Sequence, residues 1–146
     1  MLFIGSDHAG FELKEAVRCH LDARKIPYKD LGAQSPQAVD YANVACLVGT
    51  EVAKSSEHLG LLFCGTGVGI SIAANKIKGI RAACCSDYFS AKYTRVHNDA
   101  NILCLGGRVV GAGLATELVD VFLDTPFCNE ERHARRIQQI TQLEKE

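Results

Sequence analysis

The segment LLFCGTGVGIS, residues 61–71, joins a run of apolar residues to a series of alternating glycines. The apolar run predicts a buried strand, and residues 70–77 predict the helix that follows it. Cys64 therefore lies where a strand ends and a turn begins. Backbone N–H groups in such a turn stabilise negative charge, and a nearby helix N-terminus favours a thiolate. The segment supplies a candidate base or nucleophile together with a cradle for an anion.

The spacing of Gly65, Gly67 and Gly69 differs from that of the well-known phosphate-binding turns. A dinucleotide-binding fingerprint needs its third glycine one residue later, and a P-loop needs a lysine that does not follow here. A phosphatase of the cysteine class would carry an arginine where Ile70 stands. The alternative interpretation is a tight strand-to-helix turn that requires glycines and happens to contain a cysteine.

Composition narrows the class of protein. A length of 146 residues with 47% hydrophobic and 23% charged content predicts one domain with a packed core. A net charge of -1 offers no basic surface for nucleic acid, and no apolar stretch is long enough to cross a membrane. Seven cysteines, an odd number without a C-x-x-C pair, favour a reduced cytoplasmic protein with no metal site.

Short apolar strands alternate with helical patterns along the chain. This order predicts a three-layer, Rossmann-like α/β fold for a single domain, 1–146, with a five-stranded parallel sheet and helices on both faces. Pro27 places its strand at an edge of the sheet. The predicted strands are 2–5, 27–31, 59–63, 80–85 and 101–105; the predicted helices include 41–54, 70–77, 114–123 and 130–145, with Ser86 or Asp87 and Asn129 as N-caps.

Ligands of such sheets bind beyond the carboxyl ends of the strands. The residues predicted at those ends are Asp7 and His8, the turn at 64–69, Ser86 and Asp87, and Arg108. A carboxylate next to an imidazole is suited to holding a hydroxyl or a phosphate. An N-cap aspartate followed by an exposed histidine is the alternative interpretation.

Two further groups of residues have two interpretations each. His97 and Asn98 end a predicted helix, where a histidine either caps the helix or acts as an acid and base. Arg132 and Arg136 are spaced to share one helix face and, with Arg108, could clamp a phosphate. A solvated charged face is the alternative for the arginines.

Several long motifs follow one another in a recognisable order. They are GSDHAGFELK at 5–14, Asp40-Tyr41, CGTGVGISIAANK at 64–76, GIRA at 79–82, RVHNDANILCLGGRVVG at 95–111, and Arg132-His133 with Arg136. Over nearly its whole length the chain resembles the ribose-5-phosphate isomerase B type, the RpiB/LacAB sugar-phosphate isomerases. It departs from their usual pattern at Ala42, where proline is common, and at Glu130 and Glu131, where two glycines are common.

The resemblance implies an aldose–ketose isomerase that works through an enediolate without metal or cofactor. Cys64 would be the catalytic base, Thr66 would assist it, and His97 would open the sugar ring. The resemblance also implies a homodimer or homotetramer with shared active sites, in which helix 130–145 packs on a partner. The substrate-binding residues it implies are Asp7, His8, Tyr41, Gly65, Gly67, Val68, Gly69, Ser71, Asn98, Arg108, Arg132 and Arg136.

Interconversion of ribose 5-phosphate and ribulose 5-phosphate is the leading hypothesis for the reaction. The alternative is isomerisation of a six-carbon sugar phosphate, allose 6-phosphate or galactose 6-phosphate. Two other classes of protein are alternatives: a sugar-phosphate binder without catalysis, and a redox-sensing thiol protein, which would need a second cysteine near Cys64.

Overall fold

The computed structural model describes residues 1–145, in which strands and helices alternate. No helix in that range is long and apolar enough to cross a membrane. In chain order the elements are β1 (Leu2–Ser6), α1 (Phe11–Ala23), β2 (Tyr28–Asp30), α2 (Tyr41–Val52), β3 (Leu59–Cys64), α3 (Val68–Ala74), β4 (Ala82–Cys84), α4 (Tyr88–Asn98), β5 (Ile102–Gly106), α5 (Ala112–Asp124) and α6 (Glu131–Leu143).

The five strands form one parallel sheet in the order β2-β1-β3-β5-β4. The predicted parallel sheet is confirmed, and β2, which follows Pro27, is an edge strand as expected. Strand β3 lies at the centre, with Phe63 opposite Ser6 of β1 and Cys64 opposite Gly106 of β5. The carboxyl ends of three neighbouring strands therefore meet around Cys64.

Helices cover both faces of the sheet, as the sequence predicted. Alternate residues of β3 enter different cores: Leu61 and Phe63 belong to one hydrophobic cluster, and Leu62 and Cys64 belong to the other. Helices α1 and α5 pack together over the first cluster, while α2 and α3 pack together over the second. This is the near-continuous apolar strand expected of a parallel sheet buried on both faces.

Helix termini match the prediction in one place and differ in others. Asp87 is the N-cap of α4, since its carboxylate accepts a hydrogen bond from the Ser90 amide at 2.8 Å. Asn129 is not the cap of α6: it has a φ of 59°, and Glu130 takes the cap position. Helix α3 begins at Val68, two residues earlier than predicted, because Gly67 already turns the chain into the helix.

A buried ion pair fixes the loop after β2 against the end of β1. The Lys14 side chain is fully buried, and its Nζ donates to both Asp30 oxygens, at 2.9 and 2.8 Å, and to the Ala33 carbonyl. Asp30 also accepts from the Gly32 amide at 3.0 Å. The Ser6 amide in turn donates to the Gly32 carbonyl. The network therefore holds the backbone directly before Asp7.

Candidate active site

Cys64 ends the central strand and is almost fully buried, with 4% of its surface exposed. The Gly67 amide donates a hydrogen bond to its Sγ atom at 3.0 Å. Gly67 has a φ of +80°, and a Cβ atom there would lie 2.9 Å from the Leu105 carbonyl carbon. Only glycine fits this left-handed turn, and the turn aims a backbone donor at the sulfur, where it stabilises negative charge.

The same turn presents backbone N–H groups without acceptors. Within residues 1–145, the amides of Gly65, Thr66 and Gly69 have no hydrogen-bond partner. The turn is held by its own side chains: Thr66 Oγ1 accepts from the Val68 amide at 3.2 Å, and Ser71 Oγ donates to the Val68 carbonyl at 2.7 Å. Fixed, unpaired N–H groups are the arrangement that stabilises a developing oxyanion.

Asp7 and His8 follow β1 and lie beside this turn, as the sheet order requires. Asp7 is buried, and its Oδ1 accepts from the Gly10 amide at 2.9 Å, which fixes the turn that leads into α1. His8 Nδ1 accepts from the Val39 amide at 3.3 Å. A neutral His8 therefore carries its hydrogen on Nε2, which leaves that atom as a donor for a ligand.

Tyr41 and Arg108 both pack against the backbone of this turn. A Cβ atom on Gly69 would lie 2.8 Å from the Tyr41 ring, which shows how closely the ring approaches the backbone. The Arg108 amide donates to the Gly65 carbonyl at 2.9 Å, and its guanidinium lies 3.2 Å from where a Gly65 Cβ would be. We call this group the cysteine half-site; it comprises Asp7, His8, Tyr41, residues 64–71 and Arg108.

Cys84 belongs to the same region, although the sequence analysis did not assign it there. Its Sγ lies 3.7 Å from the Thr66 carbonyl oxygen. Burial raises the pKa of the Cys84 thiol, and the neighbouring Cys64 raises it further. The next residue, Cys85, points into the hydrophobic cluster on the other face of the sheet, where burial raises its pKa to about 11.

His97 and Asn98 lie at the amino-terminal ends of the strands, opposite the carboxyl ends that surround Cys64. Helix α4 starts after β4 and runs back along the sheet, so its last residues come just before β5 begins. Gly106, at the other end of β5, is the residue paired with Cys64. Because five strand residues span roughly 16 Å, the length of β5 separates the end near Cys64 from the end near His97.

Arg132 and Arg136 lie on the same side of the molecule as His97, away from Arg108. The α6 residue between them, His133, stacks on the His97 ring with a centroid distance of 4.1 Å and an interplanar angle of 12°. Helix α6 contacts His97 just before β5 and, through Glu144, the Gly79 amide just before β4. Both contacts lie where strands begin, so one chain does not bring these two arginines to Arg108, which follows the end of β5. We call His97, Asn98, Arg132 and Arg136 the histidine half-site.

The acidic residues before this arginine pair have defined partners. Glu130 lies 3.1 Å from Arg132 Nε, and Glu131 pairs with Arg135 at 3.3 Å, both in solvent-exposed positions. Within residues 1–145, Arg136 makes no ion pair. Among those residues no three His, Cys, Asp or Glu side chains are grouped as a metal would require.

Comparison with known proteins agrees with the fold and with the motifs. A model of the family described as Ribose/Galactose Isomerase matches residues 2–140. The chain is 46% identical over 140 residues to ribose-5-phosphate isomerase B of Escherichia coli strain K12, covering 96% of this chain and 93% of that one.

Solved structures give the same result. Ribose-5-phosphate isomerase B of Clostridium thermocellum superposes with a TM-score of 0.93 at 46% identity, covering 99% of this chain and 97% of that chain. The Mycoplasma genitalium enzyme, solved with bound ribulose 5-phosphate, gives 0.94 at 43% identity, covering 99% and 96%. On the family match and these identities, the chain belongs to the ribose/galactose isomerase family.

Proposed function

We propose that Cys64 moves a proton between C2 and C1 of an open-chain sugar phosphate. The chain is an aldose–ketose isomerase that interconverts ribose 5-phosphate and ribulose 5-phosphate, as its relatives named ribose-5-phosphate isomerase B indicate. The Mycoplasma genitalium relative holds ribulose 5-phosphate in its crystal structure. The hydrogen bond from the Gly67 amide to the Cys64 sulfur carries the proposal of a cysteine base.

The chemistry follows from the groups in the cysteine half-site. The Cys64 thiolate takes the hydrogen from C2 of open-chain ribose 5-phosphate, and the electron pair forms an enediolate. The sulfur then returns that proton to C1, while the proton of the 2-hydroxyl moves to O1, so the carbonyl shifts to C2. The amides of Gly65, Thr66 and Gly69, which have no partner within residues 1–145, would face the oxygen that gains charge and lower the barrier.

The histidine half-site supplies the two other functions that this reaction needs. Ribose 5-phosphate is mainly a closed ring, and His97 would protonate the ring oxygen to open it. Arg132 and Arg136, together with His8 and Arg108, would bind the phosphate. Binding energy from the phosphate, which does not react, orients the carbon chain at the sulfur.

A complete active site requires two chains. The cysteine and histidine half-sites lie at opposite edges of the sheet, too far apart to contact one five-carbon substrate. A two-fold dimer brings unlike half-sites together twice, which makes two identical sites. We therefore propose a homodimer as the smallest active unit, with α6 packing on the partner. Free thiols at all seven cysteines support a cytoplasmic location.

Replacement of the cysteine tests the proposed reaction. Cys64→Ala should lower the rate of ribose 5-phosphate isomerisation by about 10²- to 10⁴-fold, the contribution expected of a positioned base. Binding of ribulose 5-phosphate should persist, since the phosphate ligands are unchanged. Cys46→Ala, on the exposed face of α2, is the matched control and should keep the wild-type rate. Equal rates for the Cys64→Ala variant and the wild type would remove Cys64 from the mechanism.

A further inference from the structure

We propose that His133 is a positioning residue: its ring holds the imidazole of His97 in the orientation that opens the sugar ring. This inference rests on the proposed function and adds a residue to it. His133 lies on α6 and His97 on α4, so two helices must dock correctly before the two rings can stack.

The geometry of the stack supports this role. The two imidazoles are nearly parallel, with centroids 4.1 Å apart and planes at 12°. The ring of Tyr93, one helical turn before His97, also packs against the His97 ring, with centroids 4.9 Å apart and planes at 55°. Phe89, one turn earlier, stacks on Tyr93 with centroids 4.4 Å apart. The His97 ring therefore packs against two neighbouring rings, those of His133 and Tyr93, which restrict its rotation about the side-chain bonds.

The surroundings of His133 favour a positioning role over direct binding of the substrate. Only 7% of the residue is exposed, and its Nε2 atom is buried without a hydrogen-bond partner in residues 1–145. Burial lowers the pKa of His133, and the neighbouring His97, Arg132 and Arg136 lower it further against an opposing effect of Glu130. A neutral His133 can stack on His97 without charge repulsion, whether His97 is neutral or protonated.

The two directions of the reaction allow ring opening to be measured apart from proton transfer. Ribose 5-phosphate closes its ring through the oxygen on C4. Ribulose 5-phosphate would need the oxygen on C5, which carries the phosphate, so it stays open. Exchange of the C1 hydrogen of ribulose 5-phosphate with solvent therefore needs the Cys64 base but no ring-opening group.

Two variants of the full chain test the proposal. In His133→Leu, which has no planar ring, kcat for ribose 5-phosphate should fall by about 10²-fold with little change in KM, as expected when a catalytic group is misplaced. Its exchange of the ribulose 5-phosphate C1 hydrogen in deuterated water should stay within about twofold of wild type. In His133→Phe, a ring without nitrogens should preserve both rates, since Nε2 has no partner.

Other results would overturn the proposal. A parallel loss of turnover and exchange in a folded His133→Leu variant would mean that His133 supports the site as a whole. A large rise in KM with both variants would mean that its nitrogen binds the phosphate. If His133→Leu does not fold, loss of ribose 5-phosphate turnover in folded His133→Phe still contradicts the stacking role. Wild-type protein without turnover would refute the proposed function instead.

Discussion

Cys64 and His97 lie at the two opposite ends of the sheet, with the length of β5 between them. Each has surroundings that suit its proposed role: a backbone donor on the Cys64 sulfur, and two rings packed against the His97 imidazole. Neither can reach a substrate held by the other in the same chain. The fold therefore separates the two proposed half-sites, and the proposed mechanism requires two chains to associate.

The buried Lys14–Asp30 pair should be essential to stability. Lys14→Met removes the buried cation and leaves the largely buried Asp30 carboxylate with only the more distant Arg18, 3.7 Å away. The free energy of unfolding should therefore fall by up to about 3–5 kcal/mol. Lys54→Met is the control, because Lys54 pairs with Glu51 at an exposed position and should cost about 0–1 kcal/mol. Urea denaturation of both variants measures the difference. Equal losses of unfolding free energy in the two variants would show that burial of an ion pair does not determine how much its lysine stabilises the protein.

The left-handed turn at Gly67 should not tolerate a side chain. Gly67→Ala combines a φ of +80° with a Cβ only 2.9 Å from the Leu105 backbone, so it should displace the amide that donates to Cys64. We expect a loss of at least about 1–2 kcal/mol in unfolding free energy and a marked fall in kcat.

Gly113, near the start of α5, offers a control for this substitution. It has open space around it, and Gly113→Ala should stabilise the protein by about 0.4–1 kcal/mol. Thermal unfolding of the two variants should thus shift in opposite directions. A Gly67→Ala variant with wild-type stability and kcat would refute the assigned turn geometry.

Arg136 should bind the phosphate of the substrate. Because Arg136 makes no ion pair in the described chain, its Ala variant loses no internal bond, and the effect should appear in binding. Loss of a charged hydrogen bond of about 1.5–3 kcal/mol predicts a rise in KM for ribose 5-phosphate of about 10- to 100-fold. Arg135→Ala, which removes an exposed pair with Glu131, should leave KM unchanged. An unchanged KM in Arg136→Ala would discard the phosphate clamp.

Stability should depend on pH partly through His133. Because burial lowers its pKa in the folded state, the unfolded chain takes up a proton at a higher pH than the folded chain does. Stability from this residue is therefore present above about pH 6.5 and declines as the pH falls below that value. The melting temperature should drop less between pH 7.5 and 5 in His133→Phe than in wild type. Identical pH dependence in both proteins would show that His133 titrates normally in the folded state.

Local patterns were sufficient to predict the fold. Alternating strands and helices predicted a parallel sheet, and Pro27 correctly placed its strand at an edge. Asn129 was wrongly chosen as a cap because residue type alone does not report φ, and the structure gives it a left-handed conformation.

The site was predictable in part. The glycine turn and Asp7-His8 follow neighbouring strands, so sequence order alone places them together at one edge. His133, in contrast, meets His97 through packing of α6 on α4, and no local pattern relates two histidines so far apart in the chain. The order of elements does predict that His97 lies where the strands begin, since a helix that leads into a parallel strand must end where that strand begins.

Mixing two inactive variants tests the shared site most directly. Cys64→Ala and His97→Leu chains are denatured together in equal amounts, refolded and assayed for ribose 5-phosphate isomerisation. Mixed dimers combine one intact pair of half-sites with one doubly altered pair, so the mixture should recover about a quarter of wild-type activity. Each variant refolded alone should stay inactive. Mixed dimers that form but remain inactive would show that Cys64 and His97 of different chains do not act on the same substrate.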